Sequence, residues 1–318
     1  MFHRAPGYWR RLERQRSSPF AGVSDIFTRY DLEFPTSMPD LRDSATLLSA
    51  TDVSGEHDKA SYMTYGLLVV DYDHIGDWLA AAGEFRQKHL EDRTMSFKAL
   101  RDRQRLRALG PFLELSETLN GFLVVVSVHR DVASLFDAPF PPETDTPFVR
   151  AMRAWPSHIL EQAGFLSHLL GVMLAGVASP GQNLLWLLDE GPIAAHDQRL
   201  SELTRLVGST IAAYLPFRIG TLMVVTTKAD SGDLAIEDLC SIPDLAAGAW
   251  STFLQKCDQA GIQMTRAQEW HQLTLPTKSR IILTWWSSTK RNLECFGCRV
   301  VRAQPGNHVE WQFIQLGP

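Results

Sequence analysis

Between Thr46 and Lys256, short runs of β-forming residues alternate with stretches of helical periodicity, which confines the chain to a layered α/β architecture. Thr46 to Asp52 (TLLSATD) is an apolar run ending in an acid, Val53-Ser54-Gly55 supplies turn chemistry, and Tyr62 to Val70 (YMTYGLLVV) is a second strand. Together they predict a hairpin with a fairly long loop. Ile75 to Leu90 sets Trp78, Leu79, Ala82 and Phe85 at helical spacing. Phe97 to Leu119 is a second helical stretch stopped by Asn120-Gly121. Strand and helix signals then recur: Gly121 to His129 (GFLVVVSVH) as a buried strand, Phe148 to Ala178 as an apolar helical region broken at Pro156, and Asn183 to Glu190 (NLLWLLDE) as a strand. Ala194 to Tyr214 follows as an amphipathic helix, Arg218 to Lys228 as a strand and Ile236 to Lys256 as a helix. An opening hairpin followed by separated strands predicts a mixed sheet flanked by helices rather than a purely parallel one.

The two ends differ from this middle. Residues 1–44 read as a basic N-terminal arm, with Arg4, Arg10, Arg11, Arg14 and Arg16 near its start and no sustained periodicity. After Gln259 the stretches Arg280 to Ser287, Leu293 to Arg302 and His308 to Leu316 read as strands, the last two joined by Pro305-Gly306-Asn307. The expected division is therefore an arm (1–44), a core domain (45–258) and a small C-terminal β appendage (259–318). Trp285, Trp286 and Trp311 in the appendage read as core residues or as a contact patch, which makes it a docking module for a protein partner or a second copy of the chain.

Composition excludes several classes. With 31 Lys and Arg against 36 Asp and Glu, the net charge of −5 rules out a uniformly basic nucleic-acid coat but leaves room for a local basic groove. Four cysteines in 318 residues are too few for a disulfide scaffold. The lone Cys295-x-x-Cys298 lacks the second pair that a zinc site needs. The charged start has no apolar signal segment, and the apolar stretch Phe165 to Ala178 is too short to span a bilayer. The expectation is a cytoplasmic protein with no membrane association. There is no P-loop and no G-x-G-x-x-G. Ser54 lacks the preceding glycine of a nucleophile elbow, and nothing arranges His57 or His196 as its base.

The acids are placed more tellingly. Asp52 closes the first strand, Asp189 and Glu190 close the strand NLLWLL, and Asp244 sits in the apolar context CSIPDLAAGAW. Each has a plain structural reading, as a turn former at Asp52 and Asp189 and as a helix cap after Pro243 at Asp244. Brought together, they would repel one another unless a divalent cation with a preference for hard oxygen ligands lay between them. Mg²⁺ or Mn²⁺ in a two-metal site would then support phosphoryl transfer, one ion activating water and the other steadying the leaving oxygen. Arg86, Lys88, Arg93, Lys98, Arg101, Arg103, Arg105 and Arg107 form the most basic region outside the arm, either as a solvated helix face or as a dock for nucleic-acid phosphates.

Asp52-Val-Ser-Gly55, Leu187-Leu188-Asp189-Glu190 and Ile242-Pro-Asp244-Leu-Ala-Ala-Gly-Ala249 together resemble the D-x-S-G family of bacterial and phage proteins, over about Leu47 to Phe253. That resemblance implies a ribonuclease-H-like fold with a metal-dependent, nuclease-type acid cluster. It makes Asp52 the ligand that bridges the metals and Asp189 and Asp244 its companions, with Lys98 holding the scissile phosphate or orienting an acid. Val53 stands where the family usually has Glu, and Ser96, in Met95-Ser96-Phe97-Lys98, stands where its E-x-K element has Glu. Glu190 is then the substitute ligand, or else the domain has kept the fold without the activity and serves as a binding or scaffold subunit.

Overall fold

The computed structural model describes residues 9–12, 20–35, 37–55, 60–91, 93–132, 134–136, 145–230, 232–262, 267–288, 292–303, 309–314 and 316. Arg4, Arg14 and Arg16 of the arm, His57 and the turn at 305–307 lie outside them. The strands are β1 (Thr46–Ser54), β2 (Tyr62–Asp71), β3 (Gly121–His129), β4 (Asn183–Leu188), β5 (Leu222–Thr226), β6 (Leu293–Arg302) and β7 (Val309–Ile314). They form one seven-stranded sheet in the order β5-β4-β1-β2-β3-β6-β7. β1, β2 and β3 make an antiparallel meander, while β4 runs parallel to β1 and β5 parallel to β4. This is the mixed sheet flanked by helices that the sequence predicts.

Strand periodicity assigns the two faces. Leu47, Leu67, Val69, Val124 and Trp186 point to one side, where α1 (Ala21–Glu33), α5 (Ser157–Val177) and α6 (Asp197–Tyr214) pack. Leu48, Ala50, Leu68, Val125 and Leu187 point to the other, under α2 (Gly76–His89), α3 (Arg103–Ser116), α7 (Ala235–Ala260) and α8 (Thr277–Trp286). The short α4 (Pro147–Arg153) leads into α5. The 21-residue α5 is long and apolar enough to cross a membrane by composition alone, yet most of it is buried in the first of these layers. Arg86 of α2 ion-pairs with the buried Asp238 of α7 and also donates to the Asp233 carbonyl, tying two helices of the second layer together. Burial pushes the Asp238 carboxyl up to about 7 against the pull of Arg86.

Two sequence expectations change. Arg280 to Ser287 is not a strand but part of α8. The run Ile-Ile-Leu-Thr-Trp-Trp is rich in β formers, but Ser279, Ile282, Leu283 and Trp286 are buried at spacings of three, one and three, a helical stripe. Asp244 is no cap, because Pro243 lies inside α7 rather than before it. The two strands read correctly beyond residue 259 continue the central sheet, β6 pairing in parallel with β3 and β7 closing that edge.

α5 carries one titratable side chain into the first layer. His168 stacks on Phe20 at 5.4 Å between centroids and shares a 2.8 Å hydrogen bond from Nδ1 to the Tyr214 hydroxyl. Burial depresses this imidazole to about 4. An unfolded histidine titrates near 6.5, so between these values the unfolded chain takes up the proton first, and stability falls as pH drops. Between about pH 7 and about pH 5 the wild type is expected to lose roughly 2 kcal/mol relative to His168→Gln, read from denaturant midpoints, a comparison that cancels the opposite slope of the raised Asp238 carboxyl. Midpoints of wild type and His168→Gln that move in parallel with pH over this window would count against the buried neutral imidazole.

Candidate active site

The register of the parallel pair places the first two acids. The last matched residues of β1 and β4 are Thr51 and Leu188, so Asp52 and Asp189 stand one step further along, at the carboxyl ends of adjacent strands. Adjacent strands lie about 4.8 Å apart, and residues in step point the same way. Asp52 continues the Leu48–Ala50 face and Asp189 the Leu187 face, so both carboxylates look toward α7. α7 comes in close because Asp52's cross-strand partner is Gly66. A Cβ on Gly66 would lie 2.6 Å from the Pro243 carbonyl oxygen and 2.9 Å from its Cβ. That glycine sets the spacing between sheet and helix, and the next residue of the helix is Asp244.

The three aspartates therefore line one cleft of about 880 Å³, together with Ser96, Lys98, Arg101, Thr227 and Lys278. Asp244 accepts a 2.6 Å hydrogen bond at Oδ2 from the Phe97 amide. Burial pushes its carboxyl up to about 6, and the charge of Asp189 adds to the rise, while the Phe97 amide, Lys98 and Lys278 oppose it. Asp189 is held at Oδ1 by the Glu190 amide at 2.7 Å and by the Thr227 hydroxyl at 3.1 Å. Cys240, one turn before Asp244, is raised mainly by burial and then by Asp189 and Asp52.

Of the residues expected at the site, Asp52, Asp189, Asp244 and Lys98 line the cleft, as does Ser96. Glu190 is exposed and stands outside the lining, with only its amide turned to Asp189. A fourth acid is present instead. Glu237 lies seven residues before Asp244 on α7, two turns away on the same helix face, and helical spacing from Asp244 would have found it. Lys278 had no such signal, being remote in sequence and at the start of a helix misread as extended chain.

The basic region divides by partner. Arg93 and Arg105 pair with Asp102, and Arg86 with Asp238, so these serve the fold. Lys98 and Arg101 face the cleft. Carboxylates lining one cleft, with Asp189 exposed and the Asp244 carboxyl raised by burial and then by its neighbour's charge, match in donor type what Mg²⁺ or Mn²⁺ prefers. Among the described residues no group of three His, Cys, Asp or Glu side chains is arranged to hold a metal ion.

Comparison with known proteins adds structural neighbours only. No protein-family model and no curated protein matches the chain. Solved structures that match include Bst-RNase HIII in complex with Mn²⁺, at 15% identity and a TM-score of 0.33 over 70% of this chain. The match spans 57% of that protein's length. The ribonuclease H2 from Pyrococcus horikoshii OT3 matches at 13% identity and a TM-score of 0.30, over 76% of this chain and 100% of the other. These superpositions are loose, and the fold class stands on the strand order and register above.

Proposed function

We propose that the chain is a metal-dependent phosphodiesterase acting on nucleic acid, with the acid cleft as its active site. The observation that carries this reading is the meeting of Asp52, Asp189 and Asp244, 192 residues apart at the extremes, in one cleft whose other wall is cationic. The membership of the D-x-S-G family and the division into 1–44, 45–258 and 259–318 belong to the same proposal, as does a role for the C-terminal segment in contacting a partner.

In this reading Asp52, on β1 between β4 and β2, would hold Mg²⁺ or Mn²⁺ with Asp189 and Asp244. The bound cation would supply an activated water and neutralise charge on the leaving oxygen. Thr227 and the Glu190 amide orient Asp189, and the Phe97 amide orients Asp244. Lys98, exposed at the cleft wall, holds the phosphodiester. Glu237, rather than Glu190, is the acid placed to compensate for Ser96. Supporting the choice of metal are the carboxylate oxygens of the three aspartates.

A second reading, a non-catalytic nucleic-acid-binding or scaffold subunit, is favoured by one observation: no three donors are pre-arranged to hold a metal ion among the described residues. Incubating the purified chain with RNA, DNA and hybrid duplexes in Mn²⁺ and in EDTA decides between them. Mn²⁺-dependent cleavage of any of these is the expected result. No cleavage of any, together with no heat of Mn²⁺ binding, would overturn the catalytic reading in favour of the second.

A further inference from the structure

The cleft has cations beyond Lys98 in its lining. Lys278 stands in the first turn of α8 and projects its ammonium over the Phe97 ring, 3.7 Å from the centroid, while donating a 2.8 Å hydrogen bond to the Phe97 carbonyl. The same ring also packs against α7. A Cβ on Gly248 would come within 2.3 Å of the ring carbons, so only glycine lets the ring seat there. Phe97 thus packs against both Gly248 and Lys278, and the ammonium is held in place before any ligand arrives.

Lys98 and Arg101 flank this position on the turn Lys98–Arg101, both exposed and both lining the cleft. Among the described residues none of the three cations forms an ion pair. Burial and then the charge of Arg101 disfavour the Lys278 ammonium, while Asp244 favours it. Like charges kept together at a cleft repel one another, and a phosphate would relieve what Asp244 leaves uncompensated. α8 adds to the field, since no side chain caps its N-terminus. Three donors spread along a wall match the repeating phosphates of a backbone better than a single compact anion.

We infer that Lys278, Arg101 and Lys98 form a phosphate-gripping subsite for the nucleic-acid backbone beside the acid cluster, with Lys278 as its fixed member. The inference rests on the reading of the cleft as a nucleic-acid site, but it concerns binding and not cleavage. It draws α8, a segment far from the acids in sequence, into substrate recognition.

The test measures equilibrium binding of labelled single-stranded RNA, single-stranded DNA and hybrid duplex in EDTA, across a salt series. Arg101→Ala and Lys278→Met are each expected to weaken binding by about tenfold and to lower the slope of log affinity against log salt by roughly 0.7–0.9. Lys278→Arg is expected to restore most of the slope. Asp189→Asn should bind at least as tightly as wild type, because it removes a negative charge from the cleft. Should Lys278→Met fail to fold, the exposed Arg101 decides alone. Wild-type affinity and slope in Arg101→Ala and in any folded Lys278→Met would overturn the subsite even if cleavage is found. Loss of cleavage in the acid variants with this pattern intact would leave it standing.

Discussion

Asp52→Asn is expected to abolish Mn²⁺-dependent cleavage, by at least about 10³-fold, equal to roughly 4 kcal/mol in the barrier, while leaving the metal-free protein no less stable than wild type. The substitution keeps the size of the side chain and removes its charge. Asp52 stands at the carboxyl end of β1, between Asp189 on one neighbouring strand and Gly66 on the other, and under the proposed function it would hold the cation together with both companions. In the metal-free chain these negative groups oppose one another: burial raises the Asp244 carboxyl and the Cys240 thiol first, and Asp189 adds to both rises and Asp52 to that of Cys240. Removing one of them lessens that repulsion, so the apo-protein should melt no lower. Mn²⁺ should raise the melting temperature of the wild type by mass action and that of the variant by much less. Cleavage surviving in Asp52→Asn, or an equal Mn²⁺ shift in both proteins, would mean that the cation is held elsewhere.

Why three acids could be picked from the sequence is a matter of strand ends. Asp52 and Asp189 each follow an apolar run that can only be a buried strand, so the chain itself states that a charge stands at the sheet's rim. Two strands ending in acid become one site once they are parallel neighbours in step, and that pairing is a tertiary fact which no local pattern encodes. Asp244 is the more instructive case. Proline before an acid reads locally as a helix start, yet α7 begins at Ala235 and runs straight through Pro243. The apolar face of α7, buried from Leu239 to Cys257 against the sheet, overrides the local signal. The same override explains α8, where β-forming residues are helical because their stripe packs on the sheet's second layer. Lys278 and Phe97 escaped notice because their roles come from contacts spanning 181 residues, built by packing alone. The basic stretch around Lys98 was legible as basic, but which of its members fold the chain and which face the cleft depends on where Asp102 and Asp238 lie.

Gly66→Ala is expected to cost about 3 kcal/mol of stability and to depress cleavage beyond what that loss explains. The added methyl would meet the backbone carbonyl oxygen of Pro243 at 2.6 Å, its Cβ at 2.9 Å and its carbonyl carbon at 3.1 Å. None of these is the end of a flexible side chain. Pro243 is in the interior of a 26-residue helix, and Gly66 is in the middle of β2 with strands on both sides. Neither partner can yield alone, so helix and sheet must move apart. The ring of Trp250, two turns further along α7, seats against Gly297 with no spare room, which resists such a tilt. Moving α7 outward carries Asp244 and Glu237 away from Asp52 and Asp189, and a displacement near 1 Å at a reacting centre costs on the order of 10²-fold in rate. The measurements are the denaturant midpoint and the cleavage rate at a temperature where the variant remains folded. A midpoint within error of wild type would show that the sheet-to-helix spacing is not set at this glycine. A destabilised variant that cleaves at the wild-type rate would instead separate that spacing from the chemistry.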